Sequence, residues 1–331
     1  MIRTAAELEH LATGVLAKAG TSEMAAASVA KALVRANCDG LDSHGLARLK
    51  AYSAQVAAGK VEGAAVPELE RLGPSAARID ARDGFAYPAF DLAIDALDAM
   101  TVETPVAGIA ITNSHHFGVA GHHVERLAER GVVGLVFGNS PAGIAPWGGS
   151  RPLFGTNPIA FGFPRADARP VVVDLSLSKQ ARGKIKLAAD EGRPIPEGWA
   201  LDDAGNPTTD AQAAMSGSML PLGDAKGAAL VLAVEVMAAA MTGAHFGYEA
   251  SSFFDDKGGP PRVGQFLLGF RPGPLSGDSY YTRIEELLQA VLEQPGTRIP
   301  GARRAGIREL AERNGVDVPD DLLAWVESAA G

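Results

Sequence analysis

One cysteine, Cys38, is all the chain has, so it can form neither an internal disulfide nor a cysteine-based zinc site. Long apolar runs are missing too. The nearest, "GAALVLAVEVMAAAMTGA", is broken by Glu235 and is a poor candidate to span a bilayer. The first twenty residues, "MIRTAAELEHLATGVLAKAG", are amphipathic and acidic and lack the apolar centre of a secretory signal. Positive charge is also scarce. Thirty Lys and Arg against 39 Asp and Glu leave a formal net charge of −9, which argues against a nucleic-acid partner. It leaves room for a small anionic ligand, because a local cationic pocket can exist on an acidic protein. There is no G-x-G-x-x-G fingerprint, no Walker loop and no G-x-S-x-G elbow, so a Rossmann dehydrogenase has no support. These absences predict a protein of the reducing cytoplasm, with no membrane and no nucleic acid among its partners.

What is present is the material of a large globular enzyme: 47% hydrophobic residues supply a core. Thirty-nine glycines point to tight turns rather than to a helical bundle. Thr4 with Glu7 fits a capping box, followed by the apolar stripe Leu8, Leu11, Val15 and Leu16. Ser22 can cap an Ala-rich helix that carries Val29, Leu33 and Val34 to a stop near Gly40. Ser43 can cap a third helix, with Leu46, Leu49 and Val56 facing inward. On that helix His44 and Arg48 would be an i, i+4 pair on one face, with His44 at the end where the macrodipole disfavours imidazolium. After Lys60 the texture changes. Buried strands are expected at 105–112, 131–139, 157–164, 170–176 and 264–270, with helices at 119–130 and 226–242. Residues 190–210 read as a turn-rich surface excursion. Helix returns at 302–330 and should pack back on the N-terminal helices.

Three stretches can carry chemistry. In the first, His44 is a candidate proton donor beside Arg48, whose guanidinium could hold a carboxylate in a bidentate fork. The plain alternative is a capping serine with solvated neighbours. The second, "NSHHFGVAGHHVERLAERG" at 113–131, holds four of the seven histidines. None of its histidine pairs has i, i+4 spacing and no cysteine can help, so no metal is expected. A strand, a loop with Gly118 and a helix whose free N–H groups meet a phosphate is the functional reading. Surface histidines around a strand-to-helix turn are the alternative. In the third, Gly148, Gly149 and Gly155 would let backbone approach a ligand, and Asp174, in a strand, needs a partner. Arg182 and Lys184 follow; otherwise they form a solvated basic turn.

Taken in order, "DSHGLARL", "NSHHFG", "PWGG…LFGTNPIAF", "VVDLSLSKQARGK", "PEGWALD..GNPTTD", "PLGDAKGAAL" and "TRIPGARR" resemble the non-Rossmann malate/L-lactate dehydrogenase family almost end to end. The resemblance implies an α/β (α+β) fold: a mainly antiparallel mixed sheet flanked by helices, with a helical domain from both chain ends. It implies residues 1–64 plus 300–331 as that helical domain, 65–115 plus 165–299 as the nicotinamide-cofactor domain, and 116–164 as a smaller inserted α/β segment. The implied reaction is NAD(P)H-dependent reduction of a 2-oxo acid or a cyclic imino acid, in a homodimer with active sites near the interface. Carried over by motif, Ser43 and His44 are the catalytic relay, and Arg48 and Thr156 hold the substrate carboxylate. His116, Phe117, Gly118, Val119, Ala120, Asp174, Leu175, Ser176, Ala225, Lys226, Arg298, Pro300, Gly301, Arg303 and Arg304 line the cofactor. Arg303 and Arg304 could meet a 2′-phosphate or the pyrophosphate. NADPH is therefore favoured, with NADH open.

One departure bears on the substrate. In the piperideine-2-carboxylate reductases of this family a relay aspartate follows a His-Gly pair; here the matching residues are Arg182, Gly183 and Lys184. The lost carboxylate removes the third relay member and leaves Lys184 as a catalytic candidate. The two added cations favour a substrate with a second anionic group, held by Arg182 and Gly183, as in malate or sulfolactate. A cyclic ketimine reductase is the alternative enzyme, and a catalytically silent nucleotide-binding protein is the alternative of another class.

Overall fold

A computed structural model describes all 331 residues. Its centre is a seven-stranded sheet in the order Glu68–Gly73, Ala76–Asp80, Val106–Ser114, Val263–Phe270, Val133–Gly138, Ile159–Phe163, Val171–Leu175. Every pairing is antiparallel except that of Ala76–Asp80 with Val106–Ser114. The mainly antiparallel mixed sheet is therefore as expected. Alternation along a strand sends neighbours to opposite faces. Ile159 and Ala160 accordingly belong to two different cores. On one face Phe90, Leu97, Val124 and Leu127, from helices Ala86–Glu103 and Ala120–Glu129, meet Ile109, Ile111, Val136 and Leu267. On the other face Ile159 packs with Ile144, Leu177, Ile185, Val231 and Val234.

A third core joins the two chain ends. Leu8, Leu16, Val29, Leu33, Leu49 and Tyr52 pack with Val316, Val318, Leu323 and Val326. A two-stranded ladder, Ile2–Arg3 against Val316–Asp317, ties the ends together. The return of 302–330 to the N-terminal helices, expected from pattern, is what forms, as helices Ala302–Asn314 and Asp320–Ala330. The Thr4–Glu7 capping box and the Ser22 cap are both made.

Two expectations need correction. Ser43 caps no helix: residues 42–48 form two short 3₁₀ turns, and the α-helix Leu49–Ala57 starts later without a side-chain cap. The helix expected at 226–242 is α-helical only over Asp224–Glu235 and continues as a π-helical turn, Val236–Ala240. Glu235, fully inside, explains the local need: its carboxylate accepts from Asn139, Asn157 and the Gly247 N–H at 3.1, 2.7 and 2.7 Å. The 190–210 stretch is the turn-rich surface excursion expected, with short pairing inside it. It holds strands Ala200–Leu201 and Pro207–Thr208 of a small three-stranded sheet completed by Ser218–Met219. No helix is long and apolar enough to cross a membrane.

Candidate active site

The sheet registers decide what meets what. Ser114 pairs with Val263, Gly138 with Gln265, Phe137 with Ile159, and Ile159 with Leu175. The ends leading to His115–His116, Ser140 and Ser176, and the start of the strand that follows Thr156, therefore lie at one end of the sheet. The helices packed at the chain ends bring their own turn to that end. Helix Glu23–Cys38 finishes with Asn37, whose buried amide organises residues 42–46. Asn37 Nδ2 donates to Asp42 at 2.7 Å and Oδ1 accepts from the Leu46 N–H at 2.8 Å. A Cβ at Gly45 would lie 2.1 Å from that Oδ1, so only glycine fits between.

On this turn Ser43 Oγ lies 3.1 Å from His44 Nδ1, and the Arg48 Nε donates to the Ser43 carbonyl at 2.7 Å. His44 and Arg48 are thus neighbours, but not as an i, i+4 pair on one α-helix, because Gly45 is extended between them. The macrodipole penalty expected for His44 does not arise. The His44 ring stacks on His116, 5.6 Å between centroids and 28° between planes. His116 Nδ1 lies 2.6 Å from the buried Tyr52 hydroxyl, which lies 3.3 Å from that of Tyr87. Burial first, and then the charge of Arg48, hold the His44 pKa down at about 4. Its imidazole is neutral at pH 7 and able to accept a proton.

The histidine-rich segment divides by occupation. His115 is sealed among Tyr52, Phe85 and Phe253, with neither ring nitrogen hydrogen bonded. His123 Nε2 bonds the Phe117 carbonyl at 2.8 Å and its ring stacks on Phe90. His122 Nε2 lies 3.0 Å from Asp39. No three His, Cys, Asp or Glu side chains converge as a metal-ligand set. Phe117 is a core residue stacked on Phe90, so only its backbone can face a ligand. Val119 ends the loop and begins helix Ala120–Glu129 without a side-chain cap, which leaves the first N–H groups open.

Against that first turn lies the pair Asp174–Arg304, at 2.9 Å. A Cβ at Gly121 would sit 2.9 Å from the carboxylate and 3.1 Å from the guanidinium, so the helix can approach only as glycine. The acid foreseen at Asp174 has found its partner far along the chain. Arg304 borders a cleft of about 360 Å³ lined also by Gly121, His122, Val172, Pro300 and Gly301 among others. Its floor is a buried ion cluster. Arg308 donates to Asp39 at 2.6 and 2.7 Å and to Glu125 at 2.8 and 3.1 Å. That cluster locks helix Ala302–Asn314 to the C-terminal cap of helix Glu23–Cys38 and to the middle of helix Ala120–Glu129, and nothing in the sequence spacing pointed to it. An open helix start with cations beside it suits the phosphates of a nicotinamide dinucleotide, of which a cleft this size takes only part.

The remaining candidates are placed less uniformly. Thr156 N–H donates to Ser140 Oγ at 3.1 Å, and the two hydroxyls are 3.4 Å apart. Leu175 and Ser176 are exposed, with Ser176 Oγ 2.8 Å from Ser178 Oγ. Ala225 and Lys226 are exposed in the first turn of helix Asp224–Glu235. Arg298 and Arg303 are exposed and do not line the cleft. Gly148 and Gly149 are exposed, Gly155 buried. Arg182, Gly183 and Lys184 open a helix, Arg182–Asp190, rather than a solvated turn. At about 100° per residue Arg182 and Lys184 point to different sides. Arg182 is half-buried, donates to the Met215 carbonyl at 3.1 Å, and has its pKa lowered by burial alone. Gly183 and Lys184 are exposed.

With this geometry in place, comparison with known proteins supplies the lineage. The family model for malate/L-lactate dehydrogenase matches residues 4–327. The chain is 52% identical to the (2R)-3-sulfolactate dehydrogenase (NADP(+)) of Chromohalobacter salexigens, over 97% of each chain. It is 39% identical to a Δ1-pyrroline-2-carboxylate/Δ1-piperideine-2-carboxylate reductase of Pseudomonas putida, over 98% of this chain and 96% of that one. The crystal structure of Δ1-piperideine-2-carboxylate reductase from Pseudomonas syringae superposes with a TM-score of 0.94 at 36% identity, covering 99% of both chains. Sulfolactate dehydrogenase from Methanocaldococcus jannaschii gives 0.91 at 27% identity, over 99% of this chain and 96% of that one. The match runs through both chain ends and every strand of the large sheet, and the chain belongs to the malate/L-lactate dehydrogenase family.

Proposed function

We propose that the protein interconverts a small dianionic 2-oxo acid and its 2-hydroxy acid with NADPH, and that 3-sulfopyruvate and 3-sulfolactate are the pair that suits it best. The observation that carries this reading is Arg182. It is a half-buried guanidinium with one carbonyl as acceptor and no carboxylate partner, so its charge is uncompensated in the protein. A sulfonate or second carboxylate would supply that partner through charge-assisted hydrogen bonds. The 52% identical relative is named for sulfolactate and NADP(+), in agreement with this.

Arg48 would take the substrate carboxylate, with Thr156 beside it. Its Nε is already spent on the Ser43 carbonyl, which fixes the plane of the guanidinium and leaves the outer nitrogens free. NADPH, when bound, supplies the hydride. The segment His116–Ala120 with the open helix start, Asp174, Ser176, Gly301 and Arg304 would hold it, and the exposed Arg303 offers a cation to a 2′-phosphate. His44, neutral when the site is empty, accepts the hydroxyl proton in the oxidative direction. In reduction it must be protonated, and a carboxylate on Arg48 favours this by cancelling the charge that depresses it. Ser43 orients the ring through Nδ1, and Lys184, exposed on its helix, is kept as a candidate proton carrier on its motif position alone.

The second reading, reduction of a cyclic imine, is favoured by the 39% identical relative. One experiment separates the two: kcat/KM with NADPH and with NADH on 3-sulfopyruvate, oxaloacetate, pyruvate and Δ1-pyrroline-2-carboxylate. Preference for the dianions supports the first reading, and preference for the imine replaces it by the second.

The chain ends, 1–64 and 300–331, we read as the helical domain, 65–115 with 165–299 as the cofactor domain, and 116–164 as a segment built into it. A homodimer is also proposed. Leu230, Leu232, Val236 and Met241 are exposed along one helix and its extension, which suits a subunit contact near the open site. Cys38, a free buried thiol, suits the cytoplasm.

A further inference from the structure

Residues 251–258 form a loop without strand or helix, yet it is held from below by a charge. Lys60 is buried, and its Nζ donates to the carbonyls of Ser252, Asp255 and Lys257 at 2.7, 3.0 and 2.7 Å. Gln55, also buried, donates to the Asp255 carbonyl at 2.9 Å. An ammonium removed from water in this way persists only when its donors are met, and here three loop carbonyls meet them. What the loop presents is two aromatic rings. Phe253 is buried against both His115 and His116, at 5.3 and 5.2 Å. Phe254 is 64% exposed, and its face lies 4.6 Å from the Arg48 guanidinium carbon.

We propose that Phe254 is a positioning residue that seats Arg48 for the substrate carboxylate, and that Lys60 holds Phe254 in place. The inference rests on the reading of Arg48 as the carboxylate clamp. Arg48 is restrained at two points, its Nε by the Ser43 carbonyl and its face by the Phe254 ring. With both in place the two outer nitrogens form a fork of fixed plane, beside His44. Without the ring the guanidinium swings about its Nε contact, and the fork is no longer aimed. The large exposed area of Phe254 has a purpose on this view, since the ring is a wall of the substrate site rather than a core residue.

The test uses the full chain with saturating NADPH, 3-sulfopyruvate and Δ1-pyrroline-2-carboxylate as substrates, and the fluorescence of NADPH for its own Kd. Phe254→Leu should raise KM about three- to thirtyfold, the range expected for a lost cation–π contact. Its kcat and the Kd of NADPH should stay within about twofold of wild type, and Phe254→Tyr should restore KM. Lys60→Met should give the same rise in KM and speed tryptic cleavage after Lys257 above the wild-type rate. Arg48→Lys is the control. If it raises KM while Phe254→Leu does not, the aromatic seat is wrong and the clamp stands. If Arg48→Lys changes nothing, or the enzyme reduces neither substrate, the reading of the site fails and this inference with it. Equal losses in KM, kcat and NADPH affinity that Tyr does not restore would make Phe254 structural and overturn the proposal.

Discussion

His44 shows how much chemistry a single residue takes from its surroundings. An exposed imidazole titrates near 6.5; burial and the facing Arg48 bring this one to about 4. Removing the ring should cost about 10²–10⁴-fold in kcat, the usual contribution of a positioned acid or base. His44→Ala should leave NADPH affinity intact, and near-normal turnover would dismiss it as the proton carrier. The cause of the shift can be tested separately. Arg48→Gln removes a like charge, so the His44 pKa must rise, and an NMR titration of the ring proton would follow it. A fall, or no change, would mean that Arg48 lies too far away to matter. Residue types were legible here: Ser43, His44 and Arg48 stood out as a group from the sequence. Their real arrangement was not, because it depends on Asn37, an ordinary asparagine at a helix end whose role exists only once the turn has folded over it.

At the scale of elements, hydrophobic pattern served well where strands were buried. All five strands read from the sequence form, within a residue or two of their expected ends. Glu68–Gly73 escaped because it is an edge strand, exposed along most of its length, and leaves no alternation to read. Helix Ala86–Glu103 is not among the helices read from the sequence either. Its Pro88 lies in the first turn, where its missing N–H has no partner to lose. The turn 42–48 was misjudged for another reason: Ser43 has the chemistry of a cap, but Asn37 captures the backbone first. This ranks two substitutions. Asn37→Ala strands the buried Leu46 N–H and should destabilise the fold by about 1–3 kcal/mol, read from denaturant midpoints. Ser43→Ala should cost under about 0.5 kcal/mol in stability, as for an exposed surface site, while lowering kcat. A stability loss at Ser43 as large as that at Asn37 would restore the capping role denied to it here.

For the whole molecule, acid sensitivity lies in the ions and histidines buried between the large sheet and the packed chain ends. The cleft stands on Asp39, Glu125 and Arg308, which come from positions far apart in the chain and could not be grouped by spacing. Pairing with Arg308 and His122 outweighs burial and holds the Asp39 carboxyl below its usual range, and Arg308 does the same for Glu125. Their stabilisation is present above the ordinary carboxylate values and is lost as pH falls towards the folded-state ones. The histidines act at higher pH. Burial lowers His115 and His123 to about 3, against 6.5 in an unfolded chain. Between those values the unfolded chain takes up protons that the folded one refuses, so stability falls as the medium is acidified from about pH 6.5. Each such group contributes about 1.4 kcal/mol per pH unit, or on the order of 2 kcal/mol by pH 5. His115 is the cleanest to test, since neither of its nitrogens has a partner to lose. His115→Phe keeps an aromatic ring in an aromatic box, and any packing penalty is the same at every pH. The measurement is therefore the difference between pH 7.5 and pH 5.0 in unfolding free energy, wild type against variant. The variant should lose less on acidification, by up to about 2 kcal/mol. If both lose the same amount, His115 is not among the groups that make this protein acid-sensitive, and His123 with the carboxylate cluster must carry that behaviour.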